Sequence, residues 1–460
     1  MILKRLPLAG LTVLSLSAGL TIVGACAEAG RGDHNAALGR DRSCAYFVSP
    51  TGDDRNDGRS PATAFRTLRE ARSALRRGDA KVACLRAGTY RLEQPLSLGP
   101  EDEGETWRYY APDGVDTAVL EGDDRVGVGI DAHRVSNLTI DGVALRHFKT
   151  IGISAVGPAN NLVVENCEVG FISDMHSDVT VAINVSNTTN ATVSHNYVHD
   201  TVAMGISVYA YNARESADGD VVTGNVLLRS STARSDTGAI YTDMLHTGTA
   251  GGRVTISNNL VKDWGGSSGN QHAVYLDDNS SNVTVTGNVL APPQNVTSAN
   301  YNGTSAYFVH NGSRNTFTNN IVELGDSGHV VAGNWGQDRG SLAGMGSNSF
   351  TGNIILASNA GDQKTAGGAT AGNYTYIQNH NLSGDFTIRD NLYYNHAGGE
   401  VSTSGNLASD SHPRTANPLL SAPTYRLAGN SPAYSLLNFT PIVGGWGPRG
   451  FVMPKPADPR

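Results

Sequence analysis

The strongest constraint on this 460-residue chain is a motif that returns at nearly fixed spacing. It has a small or Asn-rich start, a short alternating strand and then an Asn. It reads NLTIDGV at 137–143, NLVVENCEV at 161–169, NATVSHNYV at 190–198 and DVVTGNVL at 220–227. VTISNNLV (254–261), VTVTGNVL (283–290), NTFTNNIV (315–322), NSFTGNII (348–355) and FTIRDNLY (386–393) continue it. The Asn of the later half falls at 166, 196, 225, 259, 288, 320, 353 and 391, at intervals of 30, 29, 34, 29, 32, 33 and 38 residues. Self-similarity on this scale means a solenoid or a propeller, and propeller blades need four strands in about 40–45 residues with blade motifs that are absent here. The spacing predicts an all-β fold, a right-handed parallel β-helix of about nine or more coils. Stacked coils pair in parallel about 4.8 Å apart, and one Asn per coil can stack into a ladder of side-chain amides.

Composition agrees. The 54 Gly and 38 Asn make up a fifth of the chain; helices disfavour both, and both supply tight corners. A mostly helical protein and a coiled coil are excluded. Six Lys and a net charge of −8 argue against a nucleic-acid partner. Apolar runs after residue 25 are too short for a polytopic membrane protein.

The first 25 residues read as an export signal, with Lys4 and Arg5 before an apolar run from Leu6 to Val23. Val23-Gly24-Ala25-Cys26 has the form of a bacterial lipobox, which makes Cys26 the lipidated residue; ordinary cleavage near Ala27 is the alternative. Either way the mature chain is exported, as a secreted protein or a cell-surface lipoprotein whose only membrane contact is its lipid anchor. Residues 26–42 read as a flexible tether and 43–415 as the β-helix. Cys44 and Cys84 each lie beside a strand-like run, and export permits a disulfide between them; Cys167 reads as a small buried residue. Apolar positions Phe65, Leu68, Ala71 and Leu75 predict a capping helix over 65–77 on the first coil. Residues 416–460 lose the repeat, gain eight Pro and read as an extended closing segment.

A second set of strands lies between the Asn-marked ones: GAIYTDM (238–244), HAVYLDD (272–278) and SAYFVHN (305–311), flanked by GISVYAY (205–211) and GHVVAGN (328–334). Alternation turns Ile240, Thr242, Val274, Leu276, Tyr307 and Val309 inward. The outer face receives an aromatic column, Tyr241, Tyr275 and Phe308, beside a polar one, Asp243, Asp277 and His310. Aromatic faces stack on sugar rings, and carboxylates on adjacent coils about 5 Å apart approach the spacing of retaining glycosidases. Asp236 precedes the first strand and Asp278 ends the second, so four carboxylates converge. Crowding raises the pKa of one of them, the condition for a general acid. The plainer alternatives are an Asp that only forms a turn, an aromatic column that only stacks on itself, and a His310 that only bonds at the surface. Asp277-Asp278-Asn279 is also a calcium-type oxygen set; otherwise no metal or cofactor is expected.

The openings YFVSPTGDDRNDGRSPATAFRTLREARSAL (46–75) and CLRAGTYRLEQPLSLGPEDEGETWRYYA (84–111) resemble bacterial β-helical carbohydrate-active enzymes. Nearest are the β-helical glycoside hydrolases of β-xylosidase and fucosidase/xylanase type. SDTGAIYT (235–242), AVYLDDNSSNVTVTGNVL (273–290) and the ending ANPLL…YRLAGNSPAYSLLNFTPIVGGWGPRGF (416–451) carry the resemblance further. It implies a catalytic pair at Asp236 and Asp277, with Asp278 as the alternate. The chain departs from it at Asp243, where relatives carry an aromatic residue or Gly, and it has no room for their β-sandwich insertion.

The expected function is hydrolysis of a neutral poly- or oligosaccharide by a monomer. A polysaccharide lyase or uronate epimerase is the first alternative; it needs Lys or Arg beside the uronate, and Lys149 and Lys262 lie outside the candidate strands. A non-catalytic glycan-binding solenoid is the second, and it would keep the aromatic column without closely paired carboxylates.

Overall fold

The computed structural model describes residues 44–454 apart from 111–116, 178, 211–215, 246–252, 267, 292–304, 311, 324–328, 334–346, 358–362, 365–369, 372–376, 380–385, 397, 399–409, 422–423 and 443. The export signal, Cys26 and the tether lie outside the described residues.

The strands stack into three long parallel sheets of 12, 10 and 12 strands. All nine motif strands, from Thr139–Asp141 to Phe386–Arg389, are consecutive members of the first sheet. Each coil passes through the first sheet, the third and then the second, as Thr139–Asp141, Ala144–Arg146 and Ile151–Asn160 do in turn. The chain folds as a right-handed parallel β-helix. Tyr46–Val48, Val82–Leu85 and Thr106–Tyr109 add three first-sheet strands ahead of the repeat, without its Asn. Alternation in strands such as Val283–Thr286 sends valines inward and threonines outward. Val164, Val193, Val222, Ile256, Val285, Phe317 and Phe350 therefore pair residue on residue into one buried column.

The corner between the first and third sheets explains the Gly and Asn. One residue per coil there has positive φ: Gly142, Asn166, His195, Gly224, Asn258, Gly287, Asn319, Gly352 and Asp390. Gly adopts this region freely, and short polar residues adopt it more readily than most. The next residue forms the ladder. Asn196, Asn225, Asn259, Asn288, Asn320 and Asn353 each donate Nδ2–H to Oδ1 of the Asn one coil on, over 2.9–3.1 Å, reaching Asn391. Asn391 in turn donates to Asp410. Asn166 is not a rung. It occupies the positive-φ position, and Cys167 holds the rung, its N–H donating to Asn196 Oδ1. The two adjacent polar positions differ in backbone conformation, which the motif alone does not distinguish.

The capping helix spans Leu68–Arg77, with Leu68, Ala71, Ala74 and Leu75 buried. It starts later than expected because Thr67 caps it and Phe65 bridges in parallel to Val48. Cys44 and Cys84 form a disulfide, and Cys167 is buried.

The closing segment is a strap along the side of the solenoid. It contains a short hairpin, Leu420–Ser421 with Arg426–Leu427, and a helix, Pro432–Leu437. Its Tyr425, Ala433 and Phe439 cover an outward apolar column of the third sheet, Leu260, Val289, Ile321, Ile354 and Leu392. The strap then runs back toward earlier coils: Thr440 N–H donates to Asn319, Asn258 to Gly444 and Gly447 to Gly224, and Phe451 packs on Tyr197. An apolar column of that length needs cover.

Candidate active site

The second sheet builds the site. Its register sets Ser207, Tyr241, Tyr275 and Phe308 side by side on successive coils, with Ile240, Val274 and Tyr307 in the buried core beneath. The expected columns are present, but the aromatic one has another use. Tyr241, Tyr275 and Phe308 are only 8%, 2% and 2% exposed and pack with Val181, Met204 and Tyr209. Their ring centroids lie 5.1 and 4.8 Å apart. They therefore offer no ring face to a sugar, which corrects their expected substrate-binding role. The column buries its own apolar surface and presents the two tyrosine hydroxyls to the carboxylates.

Asp277 stands at the end of the Gln271–Leu276 strand and is 8% exposed. Its Oδ2 accepts the Tyr241 hydroxyl at 2.5 Å. Its Oδ1 accepts His310 Nδ1–H at 2.7 Å and the Asp278 N–H at 2.7 Å. Burial alone would raise its pKa, but the donors from His310, Tyr241 and Asp278 outweigh burial and hold it below the usual carboxylate range.

Asp236 precedes the Thr237–Asp243 strand at a left-handed corner, φ 60°. The turn leading into it is tied by Thr237 Oγ1 to Arg234 O and by Gln271 Nε2 to the same carbonyl. Its Oδ1 accepts Tyr275 Oη at 3.0 Å and Asn270 Nδ2 at 2.8 Å. Desolvation and the nearby Asp277 charge push its pKa above the usual range, against the Tyr275 and Asn270 donors. Tyr275 crosses over Gly238 of the preceding coil, where a Cβ would lie 2.8 Å from Tyr275 Cβ. Its hydroxyl donates to Asp236, while Tyr241, one coil back, donates to Asp277, so two packed tyrosines hold one carboxyl each.

His310 contacts Asp277 and, at 3.2 Å, Asp278 Oδ1. Desolvation favours its neutral form, but Asp277, Asp278 and Asp236 together raise its pKa. Asp243 ends its strand half-buried, paired in register with Tyr209 and beside Asp277 in the polar column. Asp277, Asp278 and His310 offer donor atoms within 4.8 Å of one another. An imidazole nitrogen is foreign to the all-oxygen shell of calcium, and both Asp277 oxygens already accept protein donors. These residues do not fit the calcium set read from Asp277-Asp278-Asn279. Asn270 and His272 were missed from sequence, although Asn270 follows Asp236 at the same 34-residue offset that pairs Tyr241 with Tyr275.

No protein-family model and no curated protein matches the chain. A solved structure titled a glycoside hydrolase is similar, with TM-score 0.54 and 9% identity, over 77% of this chain and 97% of that one. The A-module of an Azotobacter vinelandii mannuronan C-5 epimerase has TM-score 0.48 and 13% identity, over 76% and 94%. XylC in complex with xylose has TM-score 0.47 and 10% identity, over 82% and 87%. At such identity the likeness is one of architecture: this chain shares the parallel β-helix with the solved glycoside hydrolase.

Proposed function

We propose that this chain is a carbohydrate-active enzyme, a glycoside hydrolase acting on a neutral poly- or oligosaccharide. One observation carries the reading: two carboxyls on adjacent coils each accept the hydroxyl of one of two packed tyrosines, Asp236 from Tyr275 and Asp277 from Tyr241, and their surroundings push their pKa values apart. Asp236, its pKa raised, is the general acid that donates to the glycosidic oxygen as its bond to C1 breaks. Asp277, held ionised, supports the positive charge developing at C1. Asp277 takes the role of nucleophile at C1, and Asp236 returns as base for the water that releases the sugar. The similarity in fold to a solved glycoside hydrolase supports this reading. The Cys44–Cys84 disulfide supports export to an oxidising compartment, with Cys26 as the lipid anchor.

The test is release of reducing sugar from xylo-, fuco-, arabino- and galacto-configured substrates by the mature chain. Asp236→Asn and Asp277→Asn each abolish release while the chain stays folded by circular dichroism. Full activity in either variant removes that residue from the mechanism, and an unsaturated product absorbing in the ultraviolet would replace hydrolysis with lyase chemistry.

A further inference from the structure

Behind Asp236 runs a chain of hydrogen bonds that continues into the core. Asn270 Nδ2 lies 2.8 Å from Asp236 Oδ1, and Asn270 Oδ1 lies 3.1 Å from His272 Nε2. On the far side of the imidazole, Nδ1 faces the backbone N–H of Ser305 at 3.2 Å and its hydroxyl at 2.8 Å. His272 and Ser305 are both fully buried, and the imidazole stacks on Phe308 at 4.6 Å.

A backbone N–H can only donate, so the nitrogen it faces, Nδ1, carries no proton. The imidazole proton is then on Nε2 and points at Asn270, whose oxygen must be the atom that receives it. The amide's orientation follows, with its NH2 turned toward Asp236. With Asn270 and Tyr275 both donating to Oδ1, the Asp236 proton belongs on Oδ2. Ser305 Oγ also lies 2.9 Å from Tyr307 O, and with Nδ1 bare its hydrogen turns to Nδ1 instead.

We infer that His272 and Asn270 are positioning residues which, through the fixed Nε2–H tautomer of His272, orient the Asp236 carboxyl and confine its acid proton to Oδ2. This rests on the reading of Asp236 as the general acid. Among the described residues, the groups facing His272 include the Asn270 carbonyl oxygen, Ser305 and the Tyr275 and Phe308 rings.

Asn270→Gly deletes the amide without strain, because residue 270 has φ 48° and Gly accepts that conformation. Asn270→Asp keeps the shape but replaces the donor with an acceptor. His272→Phe keeps the ring against Phe308 and removes the proton that orients the amide. The experiment follows the Asp236 carboxyl carbon by 13C NMR against pH, its signal assigned by loss in Asp236→Asn. Without the Asn270 donor the Asp236 midpoint rises by about 0.5–1 pH unit in Asn270→Gly and further in Asn270→Asp. His272→Phe moves it the same way, although Asn270 is intact. Hydrolysis by Asn270→Gly falls about tenfold in kcat with KM little changed. An Asp236 midpoint unmoved in both Asn270→Gly and His272→Phe overturns the inference; Asn270→Gly decides it if His272→Phe does not fold. If the midpoint moves while Asp236→Asn still hydrolyses substrate, the positioning stands and the reading of Asp236 as the acid fails.

Discussion

The hydroxyl of Tyr275 reaches from one coil back to the preceding one and donates to Asp236 Oδ1 over 3.0 Å. A solenoid places like positions above one another about 4.8 Å apart, so a side chain leaning toward its neighbour can join groups that the sequence separates by 39 residues (275 less 236).

Tyr275→Phe tests this link. The ring stays buried in the column and the donor to Asp236 is lost, so the Asp236 pKa rises further. The alkaline limb of the pH–rate profile moves upward, kcat falls about tenfold, and stability drops by about 1 kcal/mol. An alkaline limb that stays in place argues against the bond.

The acid limb belongs to Asp277, which His310 holds down. Asp277 titrates below its ordinary 3.8, so it contributes stability above that value which is lost as pH falls through its lower folded pKa. His310 is raised above 6.5, so its contribution is present below 6.5 and lost as pH rises through its folded pKa. His310→Ala removes a donor from Asp277 and moves the acid limb of kcat/KM upward. Initial rates across the acidic range in citrate buffers measure the shift.

Far from the site, Glu105 is fully buried beneath the capping helix's end of the solenoid, with Trp107 Nε1 donating to Oε2 and no partner at Oε1. Burial, with the Asp102 charge, pushes its pKa up from 4.5 to about 7. The stability from its protonated form is complete below 4.5 and lost as pH rises through about 7. That loss amounts to about 3 kcal/mol. Urea unfolding of Glu105→Gln at pH 4.5 and pH 8 should show this difference removed, with the variant the more stable at the higher pH.

Much of this was legible in the sequence because a repeat states each instruction many times. The nine motif strands, the second set of strands and their register follow from spacing alone. Burial was not legible. Period-two alternation reports which face Tyr275 and Phe308 leave from, while what lies over that face depends on their neighbours in the column. Asn166 and Cys167 show the same limit, since two adjacent residues exchange roles by one backbone conformation. The strap was read as an extended closing segment because its partners, Leu260 through Leu392, belong to strands more than a hundred residues apart.

The Asn288 side chain takes part in five hydrogen bonds, one of them to Thr286 O in its own coil. It donates to Ile256 O and Asn320 Oδ1, and its Oδ1 accepts the N–H and the Nδ2–H of Asn259. Asn288→Ala leaves buried groups unpaired on both neighbouring coils and costs about 3–5 kcal/mol. Chemical denaturation measures it. A loss under 1 kcal/mol would mean that the coils relax around a missing rung.

The ladder also has a direction. Every Asn passes hydrogens toward the next coil, and the last, Asn391, passes both its N–H and an amide hydrogen to Asp410 Oδ2, which also receives the Tyr393 hydroxyl. A carboxylate in that position accepts without handing anything on, so the relay closes at Asp410. Solenoid length is thus punctuated chemically: a single amide-to-acid change marks where stacking stops, and the same change at an inner rung would place a full stop in the middle of the helix.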